Sequence, residues 1–251
     1  MHVPDGSTEA LVDSKSANSI GNEALIDNPI WNSLGTEHYA FAETQGEARR
    51  YQHAIGPLAG TPDQSLESYD ALRPLAGPRG LLVLFLPDPP ALPPFWSIFR
   101  GGVLTQMVCR DPKLVDLPSL LPGIILRRLG AAEVPAMIEL ATLTEPGPFR
   151  ERTIDLGNFY GVLQGERLLA MAGQRTRVPG FVEVSAVCTH PEARGQGHAS
   201  ALMSRVIRDI VSEGAVPFLH AYADNPAVSL YRKLGFTQRR DFHLAVIKRE
   251  D

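Results

Sequence analysis

The chain is 251 residues long, 44% hydrophobic and 21% charged, with a formal net charge of −4, so it can bury a sizeable core but offers no global basic field to recruit nucleic acid or an anionic membrane. Its longest apolar run, Leu81 to Leu86, stops at Pro87, far short of the ~20 residues a membrane span needs, and the polar, acidic N-terminus carries no basic-then-apolar signal pattern. With two cysteines, Cys109 and Cys188, which suit a reducing compartment better than a disulfide framework, the expectation is a soluble cytoplasmic protein.

Residues 1 to about 19 are rich in Ser, Asp, Asn and Gly and read as a mobile tail. Asn28-Pro29 opens a helix through Trp31 toward Phe41, with proline just inside the start. Leu81 to Leu86 reads as a buried strand and Val103 to Val108 as another. The proline-stiffened stretch Pro87 to Pro94 joins them. Breaks at Asp111-Pro112 and Pro118 to Gly123 precede an alternating series. It comprises strand 124–129, helix 132–142, strands 158–163, 167–177 and 181–189, two further helices around a strand at 216–222, and the final strands. The expected division is a tail (1–19), a non-catalytic domain (20–122) and a catalytic domain (123–251). The first half has no glycine–arginine loop.

The last strand before residue 190 runs into Thr189-His190-Pro191-Glu192-Ala193-Arg194-Gly195-Gln196-Gly197-His198-Ala199-Ser200. Two glycines let backbone approach a ligand closely, and the first turn of a helix leaves its N–H groups unpaired. Together with the positive end of the helix dipole these make a pyrophosphate site. The next helix carries Ala199, Leu202, Met203, Val206 and Ile210 on one face, and Gly214 ends it. A dinucleotide reading is weak: Gly195-x-Gly197-x-x-Ser200 lacks the third glycine and an acidic residue about twenty residues on. A Walker loop is excluded because no Gly-Lys-Ser/Thr follows. After the strand at 216–222, Asp224 or Asn225 caps a helix of about two and a half turns that ends at Leu234-Gly235-Phe236.

This order resembles the GNAT acetyltransferase superfamily over about residues 123–249. The loop pattern Gln/Arg-x-x-Gly-x-Gly/Ala is met by Arg194, Gly197 and Ala199, and the Asn…Ala-x-x-Leu-Tyr-x-x-Leu-Gly-Phe stretch by Ala227, Leu230, Tyr231, Leu234, Gly235 and Phe236. The family's cap Asn lies seven residues before the Tyr, where this chain has Asp224, with Asn225 one residue later. Segments 146–149, 179–191 and 218–225 are similar to the glycine N-acyltransferase-like branch, which often has a GNAT-like first half as well. The resemblance implies an α/β (α+β) fold with a mixed, mostly antiparallel central sheet flanked by helices, its first half a degenerate relative of the second.

It also implies acetyl-CoA, or another short acyl-CoA, as co-substrate and no metal. Val187, Cys188, Thr189, Arg194, Gly195, Gln196, Gly197, His198, Ala199 and Ser200 are expected to hold it, with Asp224 or Asn225 and Tyr231. The expected partner is a small-molecule amine, an amino acid among the options, and a homodimer is compatible. Two alternatives stand: a catalytically silent acyl-CoA-binding or interaction protein, and a protein or peptide N-acetyltransferase.

Acyl transfer needs an unprotonated amine and a stabilised leaving thiolate. An amine with a pKa near ~10 calls for a base. Glu183 is the first candidate, since it lies four residues before Val187, where many members of the family it resembles carry a Glu in the base role; period-two geometry puts Glu183, Ser185 and Val187 on one strand face. His220, on the neighbouring strand and opposite in facing to Leu219 and Ala221, is the second. Tyr231 is the expected acid toward the thiolate, on the helix face opposite Ala227 and Leu234. His190 reads as scaffold, and Cys188 as a small buried residue rather than a nucleophile. Loops 143–157 and 175–181 are expected to line the acceptor site.

Overall fold

The computed structural model describes residues 23–115 and 123–251; the tail expected at 1–19 and most of the break expected at Pro118 to Gly123 lie outside the described residues. One sheet of 11 strands runs through the molecule: β1 (Ala42–Gln45), β2 (Ala48–Tyr51), β3 (Leu58–Gly60), β4 (Leu81–Leu86), β5 (Trp96–Val108), β6 (Ile124–Arg128), β7 (Phe159–Gln164), β8 (Arg167–Val178), β9 (Phe181–Thr189), β10 (Val216–Tyr222) and β11 (Thr237–Arg249). Their order is β1-β2-β3-β4-β11-β5-β10-β9-β8-β7-β6. All neighbours are antiparallel except β3 with β4 and β9 with β10. The helices are α1 (Pro29–Gly35), α2 (Leu66–Ala76), α3 (Val134–Thr144), α4 (His198–Ser212) and α5 (Val228–Lys233). This is the mixed, mostly antiparallel architecture expected from the sequence.

Alternation along the strands sorts the helices onto two faces. On one, Leu202, Met203, Val206 and Ile210 of α4 pack on Tyr160, Val162, Val182, Val184 and Leu219, while Tyr69 and Leu72 of α2 pack on Leu82, Leu84, Ala245 and Ile247. On the other, Ile30 and Leu34 of α1 cover Val83, Phe85, Leu104 and Phe242, and Met137, Leu140 and Ala141 of α3 cover Phe159, Leu163 and Met171. Each parallel pair is linked by a crossover helix on the same face, α2 for β3–β4 and α4 for β9–β10.

The sheet crosses the boundary expected at 122/123 without a seam. Strand β5 lies between β10 and β11, and β11 lies between β4 and β5, so each half places its last strand inside the other. The β5–β11 ladder runs from Thr237↔Val108 to Arg249↔Trp96. Strand β5 is longer than the expected 103–108, because Gly101-Gly102 interrupts the strand pattern of Trp96 to Arg100. The helix expected from Asn28 toward Phe41 ends at Gly35 and gives way to a 3₁₀ turn at Tyr39–Phe41. A fragment 123–251 would lose the strand that joins β10 to β11. It is expected to show no cooperative thermal transition by circular dichroism alone and to regain one when co-expressed with 1–122; a cooperative transition of the fragment by itself contradicts the exchange.

Candidate active site

Strands β9 and β10 pair in parallel over Val216↔Phe181, Pro217↔Val182 and Phe218↔Glu183 only. Beyond these three positions β10 continues along β5, from Phe218↔Val108 to Tyr222↔Leu104, and β9 continues along β8. The strands therefore part, and a cavity of about 410 Å³ opens between them, of the size of small-ligand pockets. Val184 to Val187 of β9, Leu219 to Tyr222 of β10, Asn225 and Tyr231 line one part, and Val83, Phe85, Leu104, Leu244 and Val246 line the rest. Glu145 to Pro148, after α3, together with Arg100 and Arg175, complete the wall.

A bulge shapes the β9 wall. Gly173 faces Ser185 and Met171 faces Cys188, so Ala186 and Val187 together oppose Ala172. Ala186 has φ +52°, a left-handed conformation rare for a residue with a Cβ. The extra residue breaks the expected alternation: Val187 packs with the cluster of Val182 and Val184, not on the face of Glu183 and Ser185. Bulged residues leave a backbone group without its ladder partner, here in the cavity wall.

At the outer end of β9, Thr189 leads into a 3₁₀ turn at Pro191–Ala193 and then to Gly195 (φ +78°) and Gly197 (φ +79°), the N-cap of α4. Both glycines sit in the left-handed region that disfavours side chains. No atom lies within 4 Å of where a Cβ would project from either, so the backbone is approachable. Arg194 is exposed and its Nε donates to the Thr189 carbonyl at 3.4 Å. His198 is 4% exposed, with neither ring nitrogen hydrogen-bonded among the described residues; burial pushes its pKa below the ordinary imidazole value. The first N–H groups of α4 have no intrahelical acceptor. Gln196, Ala199 and Ser200 complete this turn, while Cys188 is buried in the α3-side core and its thiol is pushed up to about 11.

Glu183 is 1% exposed and bound on all sides. Its Oε1 accepts from Arg175 Nη2 at 2.7 Å and from His220 Nδ1 at 2.9 Å; its Oε2 accepts from Arg175 Nε at 3.0 Å and from the Thr176 N–H at 3.3 Å. Burial alone would raise its pKa, but the Arg175 charge and the His220 hydrogen bond outweigh that and hold it far below the carboxylate range. A carboxylate so held has its lone pairs engaged by four donors. His220 is engaged at both nitrogens. Gln106 Nε2 donates to the Ile26 carbonyl at 2.8 Å and approaches His220 Nε2 at 3.0 Å, while its Oε1 accepts from Arg239 at 2.8 Å. The Arg239 bond fixes the amide orientation, so Gln106 donates to Nε2 and Nδ1 donates to Glu183. The rings of Phe85, Phe218 and Phe242 surround His220 edge-on, at centroid distances of 4.9, 5.7 and 5.2 Å. Both expected bases are thus tied into one buried network, an association that spacing along the chain does not reveal.

The α5 region also departs from expectation. Regular helix spans only Val228–Lys233, and Asn225 Oδ1 accepts from the Ala227 N–H at 2.9 Å. Asn225 lines the cavity and Asp224 does not. Tyr231 shares its core cluster with Val228, Leu234 and Phe236 and meets the Phe236 ring at 6.3 Å, which corrects its placement on the face opposite Leu234. It lines the cavity as well. Its hydroxyl has no hydrogen-bond partner among the described residues, and burial pushes its pKa up to about 12. Of the two loops expected at the acceptor site, residues 145–148 of the first reach the cavity, and of the second only Arg175 does.

An FR47-like protein family model matches residues 159–244. Among solved structures, a protein of Novosphingobium aromaticivorans assigned to the GNAT family of acetyltransferases is 40% identical over 90% of this chain and 99% of its own, with a TM-score of 0.79. A GCN5-related N-acetyltransferase from Kribbella flavida (15% identity, 87% of this chain, 96% of its own, TM-score 0.60) and a GCN5-related N-acetyltransferase-like protein from Streptococcus suis (14%, 93%, 99%, 0.57) share the fold. No curated protein matches.

Replacing Glu183 by Gln leaves Arg175 without its counter-charge, and breaking a buried pair costs about 3–5 kcal/mol. Because its folded pKa is depressed, Glu183 contributes stability above its unfolded value of about 4.3 and loses that contribution as pH falls below it. Glu183→Gln is therefore expected to lower the melting temperature at pH 7 and to narrow its gap to the parent as pH drops below about 4.3, as read by calorimetry.

Proposed function

We propose, on the premise that the chain belongs to the GNAT family of acetyltransferases, that it is an N-acetyltransferase that moves the acetyl group of acetyl-CoA to the primary amine of a small molecule. The observation that carries this reading is the parting of β9 and β10 beside an approachable glycine loop. The residues fit the co-substrate: Gly195 and Gly197 leave space at the start of α4 for a pyrophosphate, and Arg194 stands exposed beside it. The gap between the strands accepts an extended arm, with backbone groups of Val187 to Thr189 on one side and Asn225 on the other. This co-substrate supplies the thioester, and the chain's own groups orient and polarise it.

In this reading the bulge at Ala186 presents an unpaired backbone donor to the thioester carbonyl, where developing charge is best stabilised by a fixed dipole. Burial pushes the Tyr231 hydroxyl up to about 12, so it keeps its proton throughout the neutral range and donates a hydrogen bond to the leaving thiolate, which takes up, through water, the proton that the amine nitrogen releases. The Arg175–Glu183–His220 network positions the cavity wall rather than taking protons. The amine then loses its proton to water, and the reactive form is whatever fraction is unprotonated. The likeness to the glycine N-acyltransferase-like branch, and an acceptor of its kind, belong to this proposal.

The first half reads as a degenerate counterpart. Its crossover loop, Thr61 to Ser65, has no glycine. At the start of α2, Asp63 Oδ1 accepts from the Ser65 N–H at 3.0 Å and from Ser68 Oγ at 2.6 Å. These bonds hold its pKa down to about 2. An internal carboxylate takes the place that a phosphate would need.

Two measurements test the reading. Tyr231→Phe removes only the hydroxyl, and is expected to lower kcat by about 10²-fold with acetyl-CoA affinity retained by calorimetry; full turnover leaves Tyr231 as scaffold. Without a side-chain base, kcat/KM is expected to climb about tenfold per pH unit toward the amine's own pKa. A plateau well below that pKa restores a side-chain base, with Glu145 at the cavity rim as the first candidate.

A further inference from the structure

The cavity is larger than the parting of β9 and β10, and its additional walls come from the first half and from β11. One face of β5 carries Arg100, Gly102, Leu104 and Gln106 at period two. Leu104 lines the cavity and Gln106 reaches His220. At Gly102 a Cβ would come within 2.7 Å of the Tyr222 ring, so glycine here lets Tyr222 close the floor. Arg100 is directly opposite Val246 of β11 and lines the same cavity. Its guanidinium has no hydrogen-bond or ion-pair partner among the described residues. The other arginine of the lining, Arg175, is neutralised by Glu183. The same lining carries Val83, Phe85, Leu104, Leu244 and Val246.

We propose that the first half of the chain builds the acceptor pocket, and that Arg100 selects an amine that carries a carboxylate on an apolar body, such as an α-amino acid with an apolar side chain. This rests on the transferase reading above and extends it to the substrate. A guanidinium recognises a carboxylate through paired charge-assisted N–H donors. Arg100 is exposed in a wall that also carries Val83, Phe85, Leu104, Leu244 and Val246, and a charged group placed beside apolar lining is the kind that orients a ligand. The apolar wall gains contact area with the ligand's body, which a ligand without one forfeits. Glu145, exposed in the same lining, carries the charge that suits an ammonium.

The experiment compares three acceptors with saturating acetyl-CoA: L-phenylalanine, phenethylamine, which lacks only the carboxylate, and glycine, which lacks the apolar body. The parent protein is expected to favour L-phenylalanine over each of the others by about tenfold or more in kcat/KM. Arg100→Ala is expected to lower kcat/KM for L-phenylalanine about tenfold, chiefly through KM, and to leave phenethylamine unchanged. Arg100→Lys is expected to recover part of the loss, because it keeps the charge without the fork. Equal use of L-phenylalanine and phenethylamine, or an equal response of both to Arg100→Ala, overturns the inference and leaves the transferase reading standing. Acetylation of none of the three, with acetyl-CoA still bound, overturns the acceptor inference, whereas loss of acetyl-CoA binding overturns the transferase reading on which it rests.

Discussion

A strand can pair along one edge with only one neighbour, and β10 is asked to continue along two that diverge. After three parallel positions with β9, its other edge keeps an antiparallel ladder with β5 as far as Tyr222↔Leu104. The β9 strand stays with β8 and bulges at Ala186. Leu219 and Ala221 remain buried with α4 on one face, while His220 is locked to Glu183 and Gln106 on the other. These opposed anchors hold the strands apart, and everything assigned to the site stands around the resulting gap. The start of α4 lies past the end of β9, and Asn225 and Tyr231 follow β10.

Much of this was legible from the chain. The glycine loop, the amphipathic α4, the strands at 181–189 and 216–222 and the tyrosine helix are local features, the longest of them the 15 residues of α4, and local pattern finds such elements. What escaped is nonlocal or runs against alternation. The bulge at Ala186 has no glycine to announce it. The first seven residues of β5 are masked by Gly101-Gly102, of which Gly102 lets Tyr222 approach. Glu183 looked available because nothing along β9 reveals Arg175 across the β8–β9 hairpin, or Gln106 at a separation of 114 residues from His220. Tyr231 stands three residues before Leu234 and four after Ala227, spacings that share one face of any α-helix, so its place in their cluster follows from the helix period itself.

The same exchange of strands gives the first half its place. By lending β5 to the neighbourhood of β10, and receiving β11 between its own strands, it turns Val83, Phe85, Leu104 and Arg100 toward a cavity that the second half opens. Its own crossover helix begins at Ser65 with Asp63 already bound, so only one of two similarly built parallel pairs is left with an approachable helix start. In the proposed reading one half keeps the loop that takes the pyrophosphate, and the other supplies walls.

A crystal structure with acetyl-CoA bound tests this account most directly. The account predicts pyrophosphate on the amides of residues 195–200, the pantetheine arm between β9 and β10, and the thioester within hydrogen-bonding reach of the Tyr231 hydroxyl. Acetyl-CoA bound elsewhere, or β9 and β10 zipped together past Phe218 in the complex, would contradict it.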